Sequence, residues 1–387
     1  MSRFHKKEIH PYCLIYFCLL LYLAILKSFC FFNTVDQWGG GERWHLDMAL
    51  HLRSKGHSVM VITQPGAVLG ERAQREGITV FYIVLKNLSV LNPFILLKLV
   101  NVFRSNQVDT VVLNLSRDLK CGGISARMAG VKNIIFRRGS DRMVRNYFIN
   151  RYLYQNVVTG ILTNSQATKK AILFNGISLV DPDKITVIPN GIDIQSFLEK
   201  DFETIQPKQK SAVVLGALGR LEPQKNFEFL ISVAIELKKR GIPFEFLIGG
   251  KGSQESMLKS LVDENDMTDF FQFLGFLENP KDLLMSSDIF LLPSLWEGFG
   301  YVIVEASLSE LPVIAFDISS NGEVISKATG YLTPPNDVAA FCDKITHLYQ
   351  HPEERKAMGK AGRTFVVDHF ESAKIFEKIE HYLTGQD

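Results

Sequence analysis

Residues 28–63, SFCFFNTVDQWGGGERWHLDMALHLRSKGHSVMVIT, decide the fold. An apolar run, SFCFFNTV, leads into Gly39, Gly40 and Gly41. An amphipathic segment from Arg43 to Lys55 follows and ends at Gly56, and HSVMVIT comes next. Short β-branched and aromatic runs predict strands, and the 3.6-residue apolar stripe between them predicts a helix. Gly56 stands where a helix C-terminal stop is expected. Strand, helix, strand in that order is the unit of a parallel sheet covered by helices.

The alternation continues outward from there. ITVFYIVL, a helical pattern from Pro93 to Ser105, DTVVLNL, NIIFRR, TGILTNS and KITVIPN follow in turn. Residues 199–210, EKDFETIQPKQK, are polar and aperiodic and contain Pro207, which reads as a linker. The pattern then restarts with SAVVLGALGRL, a helix from Asn226 to Arg240, FEFLIGG, a helix from Ser253 to Asn265, and FFQFLGF. SDIFLLPS, a glycine turn, a helix through Glu310 and LPVIAFD complete it. The expectation is an α/β protein of two Rossmann-like doubly wound domains, 27–198 and 211–365, facing a cleft. The helical tail at 366–387 is placed to cross back to the first domain. In open α/β sheets ligands sit beyond the strand C-termini, so function is expected in the loops that follow strands.

The 387 residues, 46% apolar and 22% charged, suffice for two cores. A net charge of +2 gives no global sign of nucleic-acid binding, and none is expected as a partner. Between Arg117 and Arg151, however, nine Lys/Arg stand against Asp118 and Asp141 alone, which suits an anionic surface or substrate as well as a solvated basic face. Five scattered cysteines without a CxxC pair fit a reducing compartment, and no HExxH or other histidine ligand pair is read, so no metal is expected. The apolar stretch Tyr12–Leu26 would reach only about 22 Å as a helix, short of a hydrocarbon core. It reads as an interfacial anchor or an upstream extension, residues 1–26, rather than a span.

Three loops carry the chemistry. Gly39–Gly41 open a helix whose free N–H groups suit phosphate, although the spacing matches neither a P-loop nor a dinucleotide fingerprint and a ligand-free turn remains open. In LGRLEPQKN, Arg220 ends a strand and Lys225 opens the next element, so both cations can face a leaving diphosphate. In LWEGFGYVIVEAS, Glu297 precedes the helix and Glu305 lies eight residues on, with Gly298, Phe299 and Gly300 between loop and helix. Carboxylates accept well from vicinal hydroxyls, as on a sugar or a ribose. Asp181 and Asp183 in VDPDK read as a turn into a strand rather than a metal site.

Taken together, GGGER, IPNGID, GRLEPQKN, GGKG, FLGF and SDIFLLPSLWEGFG with Glu305 make the chain resemble the GT-B-fold retaining glycosyltransferases of family 4. The resemblance implies that Arg220 and Lys225 bind the donor diphosphate, Glu305 the ribose, and Glu297 the donor sugar. Gly298, Phe299 and Gly300 would add backbone donors, Gly40, Gly41 and Gly250 would approach the donor, and Phe273 to Phe276 would line the base pocket. Many relatives carry a His where this chain has Arg137 and Arg138, which places those two on the acceptor side. The implied activity is metal-independent transfer from a nucleotide sugar to a glycan or lipid-linked acceptor in surface polysaccharide or lipopolysaccharide assembly. It would take place at an anionic membrane surface on the cytoplasmic side. A retaining glycoside hydrolase, a nucleotide-sugar epimerase of the same fold and a non-catalytic binding protein are the rival readings.

Overall fold

A computed structural model of the chain describes residues 26–174, 179–208, 211–318 and 320–385. The expectation for 1–26 therefore lies outside the described residues, Leu26 excepted. Among the described residues no helix is long and apolar enough to cross a membrane.

The first sheet contains β1 (Ser28–Phe32), β2 (Ser58–Thr63), β3 (Thr79–Tyr82), β4 (Thr110–Leu113), β5 (Asn133–Arg138), β6 (Gly160–Thr163) and β7 (Ile185–Val187), in the order β3-β2-β1-β4-β5-β6-β7. The second contains β8 (Val213–Leu218), β9 (Phe244–Gly249), β10 (Phe271–Gly275), β11 (Ile289–Leu292), β12 (Val313–Phe316) and β13 (Gly330–Thr333), in the order β10-β9-β8-β11-β12-β13. All strand pairs are parallel. Central strands such as β1, β4, β8, β9 and β11 are almost wholly buried, because helices cover both faces and leave no polar side. The architecture is the expected one, two Rossmann-like α/β domains.

Five apolar runs mark the second sheet, and its edge strand β13, GYLT, is the one the sequence pattern leaves unmarked. The helix α1 (Gly40–Ser54) starts three residues earlier than expected, directly on the glycine turn. α2 (Gln166–Leu173) is capped by the Ser165 hydroxyl, which accepts from the Thr168 N–H. α3 (Glu228–Lys239) starts two residues late because Asn226 is left-handed, φ 52°, after a 3-10 turn at Pro223–Lys225. α4 (Tyr301–Leu308) follows Gly300, whose φ of 75° suits glycine. The tail consists of two helices, α5 (Pro352–His369) and α6 (Ser372–Thr384).

α5 belongs to the second domain, with Val366 and Phe370 in a core shared with Phe299 and Ile303. α6 belongs to the first, where Ile375, Ile379 and Leu383 pack with Phe29, Trp44 and Val61. Between them the chain runs beside the outgoing linker. The Ile192 N–H donates to the Phe370 carbonyl (2.9 Å) and the Ser372 N–H to the Ile192 carbonyl (3.0 Å), forming a parallel bridge between Ile192 and Glu371.

Candidate active site

Each sheet reverses its strand order at one point, between β1 and β4 in the first and between β8 and β11 in the second. Loops leaving adjacent strands at such a point diverge and leave a crevice. The loops after β8 and β11 carry Arg220–Lys225 and Glu297, so residues 72 apart in sequence meet: Lys225 Nζ lies 2.5 Å from Glu297 Oε1. Both side chains are nearly buried, at 12% and 8% exposure. The pairing is held by backbone. Gln224 Nε2 donates to the Trp296 carbonyl (2.8 Å), and the Leu295 N–H donates to the Gln224 carbonyl (2.9 Å). The stem of Lys225 lies 3.1 Å from where a Cβ on Gly219 would stand, so that glycine makes room for it. Arg220 is exposed beside the pair, with Nη2 3.5 Å from Gln224 Oε1.

Glu305, on α4, is 8% exposed and accepts from Arg43 Nη1 at 3.2 Å across the cleft. Burial raises its pKa, and the Arg43 charge opposes that rise. Arg43 in turn has Asp47 at 3.6 Å and lies over the Tyr301 ring at 5.3 Å. Burial pulls the guanidinium down, but Glu305 and Asp47 outweigh it and the net shift is upward.

The glycine positions are tight. A Cβ on Gly40 would stand 3.0 Å from the Tyr301 ring, and one on Gly298 would stand 1.8 Å from the Gly139 carbonyl oxygen. The two domains thus touch backbone to backbone beside Glu297. Gly250, φ 135°, would drive a Cβ to 1.8 Å from the Gly219 carbonyl, so the GGKG loop rests on the Arg220 loop. A Cβ on Gly41 would come 3.7 Å from Asn114 and 3.9 Å from Arg137 Nη1. Glu323 ties the domains further, accepting from the Gln166 and Ala167 N–H groups at 2.8 and 2.9 Å.

Not all the residues singled out in the sequence converge. Phe299 is buried, its ring 5.3 Å from Phe370 and from Tyr301, so it anchors the turn and leaves only its backbone toward the cleft. Phe273 packs against the second-domain core while Phe276 is 69% exposed. Arg137 and Arg138 separate, as neighbours on a strand must. Arg137 is buried under the cleft, whereas Arg138 bonds the Arg142 carbonyl and approaches Tyr154. Asp181 caps the turn at Pro182–Lys184, accepting from the Asp183 N–H at 3.0 Å.

The tertiary structure adds Tyr301 and Trp44 at the cleft, and gives contacts to Arg43 and Asn190, which the sequence shows only within GGGER and IPNGID. His45 is fully buried, donates Nδ1–H to the Gly41 carbonyl at 2.8 Å, and leaves Nε2 without a partner. That pattern belongs to the neutral ring, and burial, with Arg137 nearby, lowers its pKa to about 3. The reading that the histidines form no ligand pair needs one correction. His347, His351 and Glu354 gather on the second domain with one ligand atom of each within 4.8 Å of the others, because an i, i+4 pair at a helix end shares a face.

The comparisons agree with this architecture. The family described as Glycosyltransferase Family 4 matches residues 38–196, and that described as Glycosyl transferases group 1 matches residues 199–365. The chain belongs to the GT-B glycosyltransferases of the family 4 type. It is 28% identical over 301 residues to the UDP-Gal:alpha-D-GlcNAc-diphosphoundecaprenol alpha-1,3-galactosyltransferase of Escherichia coli, covering 74% of this chain and 77% of that one. Over a shorter stretch, 49% of each chain, it is 30% identical to the 2-deoxystreptamine glucosyltransferase of Streptomyces kanamyceticus. Among solved structures, Anabaena Alr3699/HepE in complex with UDP and glucose aligns with a TM-score of 0.77 at 19% identity, covering 93% of this chain and all of that one.

Proposed function

We propose that the protein transfers a sugar, with retention of configuration, from a nucleoside diphosphate donor to a glycan or lipid-linked acceptor of a surface polysaccharide or lipopolysaccharide. The observation that carries this reading is the Lys225–Glu297 pair at the second-domain switch point, with Arg220 beside it and the glycine turn of α1 opposite. Arg220 and Lys225 neutralise the diphosphate as it leaves, without a metal. Glu297 and the Gly298–Gly300 backbone orient the sugar, and Glu305 takes the ribose hydroxyls. The anomeric carbon gains positive charge while the bond to the phosphate oxygen breaks. The acceptor hydroxyl enters on the same face and gives its proton to that oxygen. Fixed charges and orientation supply most of the rate.

The relative from Escherichia coli, whose name specifies a UDP-sugar and a lipid diphosphate acceptor, supports a donor and acceptor of those classes. In the first domain, Arg142, Arg145 and Arg151 are exposed between Met143, Tyr147, Phe148 and Tyr152, which are 60%, 56%, 79% and 45% exposed. Basic and aromatic side chains interleaved in this way suit an anionic membrane surface.

The test is incubation with UDP- and GDP-sugars, followed by mass spectrometry of acceptor and nucleotide products. Transfer is expected, undiminished by EDTA and reduced roughly 100-fold or more in Lys225→Ala and Glu305→Ala. Full activity in either variant would sink the site assignment. Sugar interconversion without an acceptor would favour the epimerase.

A further inference from the structure

Arg137, at the end of β5, is 4% exposed and carries a guanidinium that stays charged. Among the described residues no carboxylate forms a salt bridge with it. Its contacts are the Trp44 ring, 4.3 Å from the guanidinium carbon, and Asn190 Oδ1, which accepts from Nη2 at 3.2 Å. Tyr301 and, less strongly, Glu42 act on it only through space, and Glu42 already accepts from Asn33 Nδ2 at 2.9 Å. Burial draws its pKa down to about 10. A desolvated charge with one amide bond and one ring beneath it is costly unless an anion joins it.

Arg137 Nη1 lies 3.1 Å from where a Cβ on Gly139 would stand and 3.9 Å from one on Gly41. Both positions are glycine, so neither residue sets a side chain against the guanidinium. Gly139 is also the residue whose carbonyl touches Gly298, next to Glu297. Arg137 therefore stands at the sugar end of the cleft, while Arg220 and Lys225 stand at the diphosphate end. Its planar fork matches the paired oxygens of a carboxylate or phosphate.

We propose that Arg137 recognises a second oxyanion, separate from the donor diphosphate, at the sugar end of the cleft. That oxyanion is either the carboxylate of a donor hexuronate or a phosphate of the acceptor. The proposal rests on the glycosyltransferase reading, and both are tested on the full chain. Tryptophan fluorescence, reporting Trp44 under the guanidinium, is titrated with UDP, UDP-glucose, UDP-glucuronate and UDP-galacturonate, and with the GDP series where UDP does not bind. Transfer is measured to a prenyl-diphosphate-linked sugar and to the same sugar as a neutral alkyl glycoside.

If the anion is the donor's, the wild type binds a uronate at least tenfold tighter than UDP-glucose, and R137Q erases that ratio while UDP binding is unchanged. If it is the acceptor's, R137Q raises KM at least tenfold for the diphosphate acceptor and not for the neutral one. R137K, which keeps the charge and loses the fork, recovers part of either effect and decides the matter should R137Q misfold. A wild type with no preference for either anionic ligand overturns the proposal. So does an R137Q or R137K variant that leaves both ratios unchanged, or that weakens UDP as much as every sugar donor. A wild type that binds no nucleotide and transfers no sugar overturns the glycosyltransferase reading instead.

Discussion

At the residue scale, His45 shows how the cleft floor ties stability to pH. Unfolded, its ring takes a proton near 6.5; folded, it resists until about 3. Between those values acid protonates the unfolded chain alone, so the contribution is complete above pH 6.5 and declines as pH falls toward 3. From pH 6.5 to 5 the loss attributable to His45 is roughly 2 kcal/mol. Urea unfolding of wild type and His45→Leu across that range is expected to show a difference in stability that shifts by about this amount, with the variant flatter. A parallel pH dependence would refute the assignment. Glu297, Glu305, Arg220 and Lys225 stand out in the sequence as candidates because their residue types and loop positions carry a signal, and the fold brings Lys225 onto Glu297. Arg43 carried none. It reads as one more charge on an amphipathic helix, and only its contact with Glu305, 262 positions away, gives it a role.

At the element scale, the turn between β11 and α4 is held from both sides. Ser320 Oγ donates to the Gly298 carbonyl at 3.0 Å, Phe299 is buried, and the first domain closes on Gly298 itself. Gly298→Ala would place a methyl 1.8 Å from the Gly139 carbonyl oxygen, backbone against backbone. Neither side is a flexible side chain, so the domains must separate. The expected outcome is a fall in transfer of about 100-fold from misplacement of the reacting groups, with little change in thermal stability. Activity assays paired with calorimetry check it, and an active variant would contradict the contact. Strand and helix positions were readable here because apolar periodicity survives in any context. Exact starts were less so: α3 yields two residues to Asn226, whose left-handed turn depends on the loop around Lys225. The edge strand β13 escaped because GYLT is too short and too polar at its ends to stand out from a turn.

At the scale of the whole molecule, the chain leaves the first domain once and returns to it once. α6 closes the first core, and His51 Nε2 lies 2.8 Å from its Glu380. Removing residues 372–387 uncovers Ile375, Ile379 and Leu383 and their partners, at about 1.5–3 kcal/mol per side chain. The truncated protein is expected to lose the first domain's melting transition while the second domain's persists, which calorimetry resolves. Two crossings lie side by side at the waist, joined at Ile192 and Glu371. A single tether would let the halves twist, slide and splay. Two strands bonded in parallel resist rotation about the long axis more than one would, which favours a hinge-like swing of the first-domain wall of the cleft against the second-domain wall.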